Sequence, residues 1–304
     1  MKILPLKTIP KRAQTLLNTP TFWPMKTRVV FSFVYLYARL KNGFKGKTLL
    51  CFPEYPQPFH VIYKICKKLG WKITNDPTAD ADLAIYFEDI TVRSECSDVE
   101  KVKKRMPVLN SSCCNISKEY IDTVFKEVFG YEMSIDPRTH VGKCVKKSNI
   151  NALHDGLVVD CPVEPEEGYV YQKLILATCG DDRVMDLRIP IFGERIPFII
   201  KRYRSMDDIF IATIDMAFAD TDELLSKDEQ EKIITYCKKL GLDYGELDAL
   251  RDGNDGRLYV VDVNNTPAGP NAPFYKDRKK RSVWLDRMSK AYTEHIVQKY
   301  TKNV

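Results

Sequence analysis

The chain has 304 residues, 44% hydrophobic and 29% charged, with 47 Lys and Arg against 41 Asp and Glu for a net charge of +6. That length can bury one large domain or two to three smaller ones, and so ordinary a composition excludes collagen-like, low-complexity and disordered classes. Nine scattered cysteines without CxxC or His-rich spacing argue against a zinc module or a disulfide framework and point to a reducing, cytoplasmic compartment.

The charge is unevenly placed. Residues 1–53 carry ten Lys and Arg and no acid, so a basic arm over residues 1–45 precedes a mildly acidic remainder. Within it Val29–Ala38 (VVFSFVYLYA) is apolar nearly all round, between Lys26, Arg28, Arg39 and Lys41. Three readings stand open: an interfacial segment on the anionic inner face of a membrane, a helix buried against the body, or a nonspecific phosphate-binding arm. No run reaches the roughly 18–20 apolar residues needed to span a bilayer, and the start lacks the apolar core of a secretory signal.

Lys47–Cys51 begins a strand, and Phe59–Leu69 follows as an amphipathic helix ended by Gly70. Strands are predicted at Trp71–Thr74, Asp82–Phe87 and Pro107–Leu109. Ser117 then opens a helix with Ile121, Val124, Phe125 and Val128 on one face and Gly130 at its end. This alternation predicts a small α/β layer with a parallel sheet over residues 46–136. It contains neither GxGxxG nor GxxxxGK[ST], so no nucleotide fingerprint lies there.

From residue 137 the pattern changes to successive strands with short turns: Gly142–Lys147, Val158–Cys161, Tyr169–Leu176, Met185–Ile191 and Pro197–Lys201. Such spacing predicts antiparallel sheets. Ser226 with Glu229 forms a capping box for a helix that Gly241 ends, and Trp284, Met288, Tyr292 and Ile296 predict a closing helix. Between the two helices lies Gly241–Pro270. Its RDGNDG segment (Arg251–Gly256) is a turn joining two strands. A hairpin folded about Asp255 sets Asp248 opposite Asp262, with Asn264 on the same face. Two carboxylates and an amide suit a hard cation such as Mg²⁺; a solvated polar edge strand is the alternative.

The order of parts carries more than any one motif: a lysine-bearing strand, a Gln-Lys-Leu-Ile stretch, Asp-Leu-Arg, the basic KRYR strand, and an acidic hairpin ending in DVNNTP (Asp262–Pro267). Over residues 137–272 this series resembles the ATP-grasp superfamily, especially the branch of glutathione synthetase and the ribosomal-protein glutamate ligases. Two departures stand out: Asp262 where the family more often has Glu, and Thr213–Asp220 (TIDMAFAD) where a His-Arg-Gly-Gly stretch is usual.

The resemblance implies an α/β and α+β chain: an α/β pre-ATP-grasp domain at 46–136, then a two-lobed ATP-grasp domain at 137–304 with antiparallel sheets. The small lobe would span about 137–205 and the large lobe about 206–304. It implies ATP and Mg²⁺ as cofactors and an ATP-dependent carboxylate–amine ligase working through an acyl-phosphate. A kinase acting on a hydroxyl and a non-catalytic nucleotide-binding module are the alternatives. Lys147 or Lys143 would contact the nucleotide phosphates, and His154 would lie in the loop over them. Gln172, Lys173 and Leu174 would form the hinge against adenine, mostly through backbone groups. Arg188, Lys201 and Arg202 would face the transferred phosphate, and Asp248, Asp262 and Asn264 would hold the metal. The substrates would be a small-molecule or glycan carboxylate and an amine, with residues 1–45 drawing the enzyme to an anionic membrane or other polyanion; sequence-specific nucleic-acid binding is not expected.

Overall fold

A computed structural model describes residues 25–44, 46–93, 96–153, 155–180, 182–206, 213–269 and 277–300. Residues 1–24 of the basic arm and His154 lie outside them. Helix α1 (Met25–Lys41) leads into a parallel four-stranded sheet made of β1 (Thr48–Pro53), β2 (Lys72–Thr74), β3 (Leu83–Phe87) and β4 (Val108–Leu109), in the order β2-β1-β3-β4. Leu83–Phe87 is buried at every residue, as a parallel strand covered on both faces must be. Helix α2 (Val61–Leu69) covers one face and α3 (Ser97–Lys103) the other; α3 was not foreseen. Gly70 ends α2 in the left-handed conformation, as its position implied.

Two antiparallel sheets follow. The smaller has the order β6-β5-β7, from β5 (Gly142–Ser148), β6 (Leu157–Cys161) and β7 (Tyr169–Lys173). The larger has the order β10-β9-β8-β11-β12, from β8 (Arg183–Phe192), β9 (Ile199–Ser205), β10 (Thr213–Ala219), β11 (Tyr244–Arg251) and β12 (Leu258–Asn264). Thr213–Asp220, which stood outside the family pattern, is therefore mostly an edge strand. The expected lobe division near residue 205 moves back: β8 and β9 hydrogen-bond into the larger sheet, so only about 137–175 forms the smaller unit.

Helix α4 (Lys118–Phe129), expected in the first domain, packs elsewhere. Ile121, Phe125 and Phe129 share a core with Leu187, Ile189, Leu247 and Val260 of the larger sheet and with Ile233, Tyr236 and Leu240 of α6 (Lys227–Leu240). A short helix α5 (Thr221–Leu224) precedes α6. The boundary at 136 thus falls too late, because burying α4's apolar face fixes it to the second unit. The capping box of Ser226 and Glu229 forms in both directions, and Gly241 closes α6 at φ +69°. Helix α7 (Arg278–Tyr292) runs on through a π-turn (Thr293–Val297) into a last short turn, α8 (Gln298–Tyr300); it buries Trp284, Met288, Tyr292 and Ile296 between the parallel sheet and the larger antiparallel sheet.

Asn110, just beyond β4, joins the first unit to β11. Its Oδ1 accepts from the backbone N–H groups of Asp243 (2.8 Å) and Tyr244 (2.9 Å), and its Nδ2 donates to Tyr244 O (2.7 Å). Buried backbone groups at the start of β11 are satisfied by this one side chain, so the parallel layer sets where β11 begins.

Candidate active site

The site is built on the face of the larger sheet that points away from α4 and α6. Pairing places Arg188 of β8 opposite both Ile200 of β9 and Asp248 of β11, and Asp248 opposite Asp262 of β12. The hairpin does not reach that register directly. Nearer the turn, Ala249 pairs with Val260 and Arg251 with Leu258; an irregularity then leaves Val261 as an extra residue before Asp262 meets Asp248. Without this bulge Asp248 would oppose Val261 and Asp262 would turn to the other face. Gly245 makes the approach possible, since a Cβ there would lie 2.6 Å from the carbonyl oxygen of Asn264.

Opposite charges alternate along this face. Arg188 grips Asp248 with two bonds (Nε to Oδ1 3.0 Å, Nη2 to Oδ2 3.1 Å) and donates from Nη1 to Glu246 Oε2 at 2.8 Å. Arg202 reaches Asp248 Oδ2 at 2.9 Å and also bonds Asp186, whose other oxygen lies 2.9 Å from Arg204 Nε. Burial alone would raise the Asp248 carboxyl, but Arg188 and then Arg202 overcome it and hold the group well below the usual carboxylate range. Glu246, bonded to Arg188, is instead pushed up by its burial. Asp248 bonds both guanidinium groups, whereas Glu246 is buried beside the Asp248 carboxylate, whose charge repels its own, and these differences account for the contrast.

Above this face, between the two antiparallel sheets, lies a cavity of about 240 Å³. Val145, Leu153, Leu174, Ile175 and Leu250 give it apolar walls, and Lys147, Lys118, Arg202, Asp248 and Asp262 form a charged end. Lys147 donates to Val261 O at 3.0 Å, on the bulge itself. Burial, reinforced by Lys118, lowers its amine to about 8 against the pull of Asp262, Asp122 and Asp248. Lys118, at the first turn of α4, bonds Asp262 Oδ1 and donates to Asn151 Oδ1 at 2.9 Å.

The expected residues divide as follows. Lys147, Gln172, Lys173, Leu174, Arg202, Asp248 and Asp262 all line the cavity. Arg188 stands behind Asp248 and shares with Arg202 a second, much smaller pocket of about 20 Å³. Asn264 lies one register step along, with Nδ2 3.4 Å from Asp262 Oδ2. Lys201 pairs with Leu187 and Ala217 on the opposite face from Arg188 and Arg202, so it does not join them. Lys143 sits at the exposed outer end of β5. The Gln172 amide donates to both oxygens of Asp122 (2.9 and 2.7 Å), and Lys173 is tied to Asp252 (2.7 Å) and Asp255 (2.6 Å), leaving hinge contacts to the backbone. Lys118, Asn151, Asp186, Arg204 and Glu246 were not foreseen.

No protein-family model matches this sequence, and no curated protein does either. Solved structures do. The ATP-grasp ligase PsnB, complexed with a phosphomimetic variant of its minimal precursor, Mg and ADP, superposes with a TM-score of 0.51 at 12% identity, over 80% of this chain and 98% of that one. The chain has the ATP-grasp fold. D-alanine–D-alanine ligase from Bacillus anthracis (TM-score 0.48, 13% identity, 83% and 98% coverage) and the macrocyclase MdnC from Microcystis aeruginosa MRC (0.46, 15%, 83% and 99%) are similar at greater distance. The donor types on this face, two carboxylates and an amide from paired strands with no sulfur or imidazole among them, are those a hard divalent cation takes. Among the described residues no group of three or more His, Cys, Asp or Glu is placed to hold a metal ion, on this face or elsewhere.

The lowered amine of Lys147 makes fold stability depend on pH. Between pH 8 and the ordinary lysine value of 10.5 the unfolded chain binds the proton that the folded chain has shed, so stability contributed by this group rises with pH across that window. Below pH 8 the cost of the buried charge is carried in full. Urea midpoints should therefore climb from pH 8 to 10 in the wild type relative to Lys147→Met, and parallel profiles would show that Lys147 titrates normally.

Proposed function

We propose that this chain is an ATP-dependent carboxylate–amine ligase of the glutathione synthetase and ribosomal-protein glutamate ligase type. The observation that carries this reading is the convergence of Lys147, Arg202 and the Asp248–Asp262 pair at one end of an apolar-walled cavity in an ATP-grasp fold. Adenine would rest in the apolar part against the backbone of residues 172–174, with the phosphates running toward the cations.

The chemistry then needs positioning and charge neutralisation more than a protein nucleophile. A substrate carboxylate attacks the γ-phosphorus and ADP leaves; an amine attacks the acyl carbon and phosphate leaves, while the nitrogen gives its extra proton to solvent. Lys147 neutralises phosphate oxygens, and Arg202, with Arg188 behind it, stabilises charge on the transferred group. Asp248, Asp262 and Asn264 would hold Mg²⁺, which supplies further neutralisation of the phosphates. Lys118 is the counter-charge that Asp262 bonds before nucleotide arrives.

Hydroxylamine distinguishes a ligase from a kinase, because it captures an acyl-phosphate as a hydroxamate. Across a panel of carboxylates, ADP release accompanied by hydroxamate is expected, falling by about 100-fold or more in Asp262→Asn. Phosphate retained on a hydroxyl acceptor would overturn the ligase reading in favour of the kinase.

A second reading concerns α1. One side packs on α2, where Phe31 meets Tyr63 edge-on at 6.3 Å, Ala38 is buried and Asn42 Nδ2 donates to Leu69 O at 3.3 Å. The other side exposes Phe33 (67%), Leu36 (48%), Tyr37 (69%) and Leu40 (57%), an i, i+3, i+4, i+7 stripe on an arm without a single acid. We infer that this stripe seats on an anionic bilayer, with the surrounding cations each contributing about 1 kcal/mol near such a surface. Two copies of this face would bring like charges together, which disfavours a dimer here. No helix among the described residues is long and apolar enough to cross a membrane. The full chain should pellet with phosphatidylserine-containing vesicles and not with phosphatidylcholine alone, and Phe33→Ser/Tyr37→Ser should stay in the supernatant. Equal pelleting of both proteins, or of neither, would refute the inference.

A further inference from the structure

All nine cysteines are free thiols, and two of them form a pair in the smaller sheet. Cys144 of β5 and Cys161 of β6 have their sulfurs 3.2 Å apart. Register explains the encounter. Cys144 pairs with Val159 and Gly142 with Cys161, so the two thiols project from the same face on a cross-strand diagonal. The right-handed twist of an antiparallel pair shortens one diagonal, and short side chains on it can meet. Their face is opposite the one on which Val145 and Lys147 line the large cavity. The pair therefore sits in the backing of the hairpin, not in its nucleotide-facing surface.

We propose that Cys144 and Cys161 are an oxidation site that closes to a disulfide, stapling β5 to β6 at the end of the hairpin remote from the 149–156 loop. Both residues lie on paired strands with their sulfurs 3.2 Å apart, so closure brings the sulfurs together by roughly 1 Å. Access is asymmetric. Cys161 is partly exposed, whereas Cys144 is buried, and that burial together with the Cys161 contact pushes its thiol up to about 12. With a small disulfide such as oxidised glutathione as oxidant, Cys161 attacks as thiolate, forming a mixed disulfide and releasing one glutathione thiolate. The Cys144 sulfur then attacks the Cys161 sulfur of that mixed disulfide, and the second glutathione leaves carrying the proton that Cys144 gives up. Two protein thiols are oxidised and one small disulfide is reduced to two thiols.

The consequence is mechanical. Residues 145 to 160 become a closed loop that contains both Lys147 and the 149–156 segment over the cavity, and its base can no longer open. The proposal is independent of which reaction the cavity supports.

The test uses the full-length protein, treated with oxidised glutathione, alkylated and analysed by intact mass and peptide mapping. Two of the nine thiols should resist alkylation, the intact protein should lose the mass of two hydrogens, and one peptide pair should join Cys144 to Cys161. Cys161→Ser should lose no thiol, and Cys144→Ser should stop at a glutathione adduct on Cys161. Amide exchange in residues 142–148 and 157–161 should slow in the oxidised wild type. Retention of all nine thiols, a stable glutathione adduct on wild-type Cys161, or a cross-link through another cysteine would each overturn the proposal.

Discussion

The register between β11 and β12 is the constraint on which the rest depends. Side chains on a strand alternate faces, so a single extra residue decides whether Asp262 meets Asp248 or is lost into the core behind the sheet. The bulge at Val261 makes that choice, and it also offers the carbonyl that anchors Lys147 of the other sheet. One irregularity thus aligns the acidic pair and fixes a cation opposite it. The hairpin is held from outside as well, by Asn110 at the start of β11 and by Lys118 against Asp262, both from residues that precede the smaller sheet.

A face this dense in charge survives burial only because it is cross-paired. Breaking one buried partner leaves the other uncompensated, which typically costs several kcal/mol, whereas an intact pair adds little net stability. Three arginines and three acids in alternation therefore cost stability that an apolar sheet face would not, a pattern expected where charge serves function. Asp248 is held ionised by its two arginines and is already aligned with Asp262. A divalent cation and a polyphosphate together would exchange these ion pairs for equivalent ones without rebuilding the sheet.

Much of this was readable from local pattern. The hairpin about the Arg251–Gly256 turn and the shared face of Asp262 and Asn264 are legible locally, whereas the pairing of Asp248 with Asp262 depends on the Val261 bulge, which regular alternation does not show. Glycines at 70, 130 and 241 end helices where the αL conformation requires them. Alternation also separates Lys201 from Arg202, so grouping them as a pair followed family order against the physics of the strand. Lys118 could not have been found this way. It is 144 residues from Asp262, and no periodicity links positions that meet only through tertiary packing. The same holds for α4, whose apolar stripe declares that it is buried but not against which sheet. For α1 the sequence left a membrane-facing and a buried reading open, because a helix apolar nearly all round does not declare which side is left uncovered.

The most direct measurement is a crystal structure with a non-hydrolysable ATP analogue and Mn²⁺, located by its anomalous signal. The account predicts a metal peak between Asp248 and Asp262, phosphate oxygens beside Lys147 and Arg202, and the Lys118–Asp262 contact displaced or shared. A nucleotide bound elsewhere, or a metal peak distant from both carboxylates with their ion pairs intact, would contradict it.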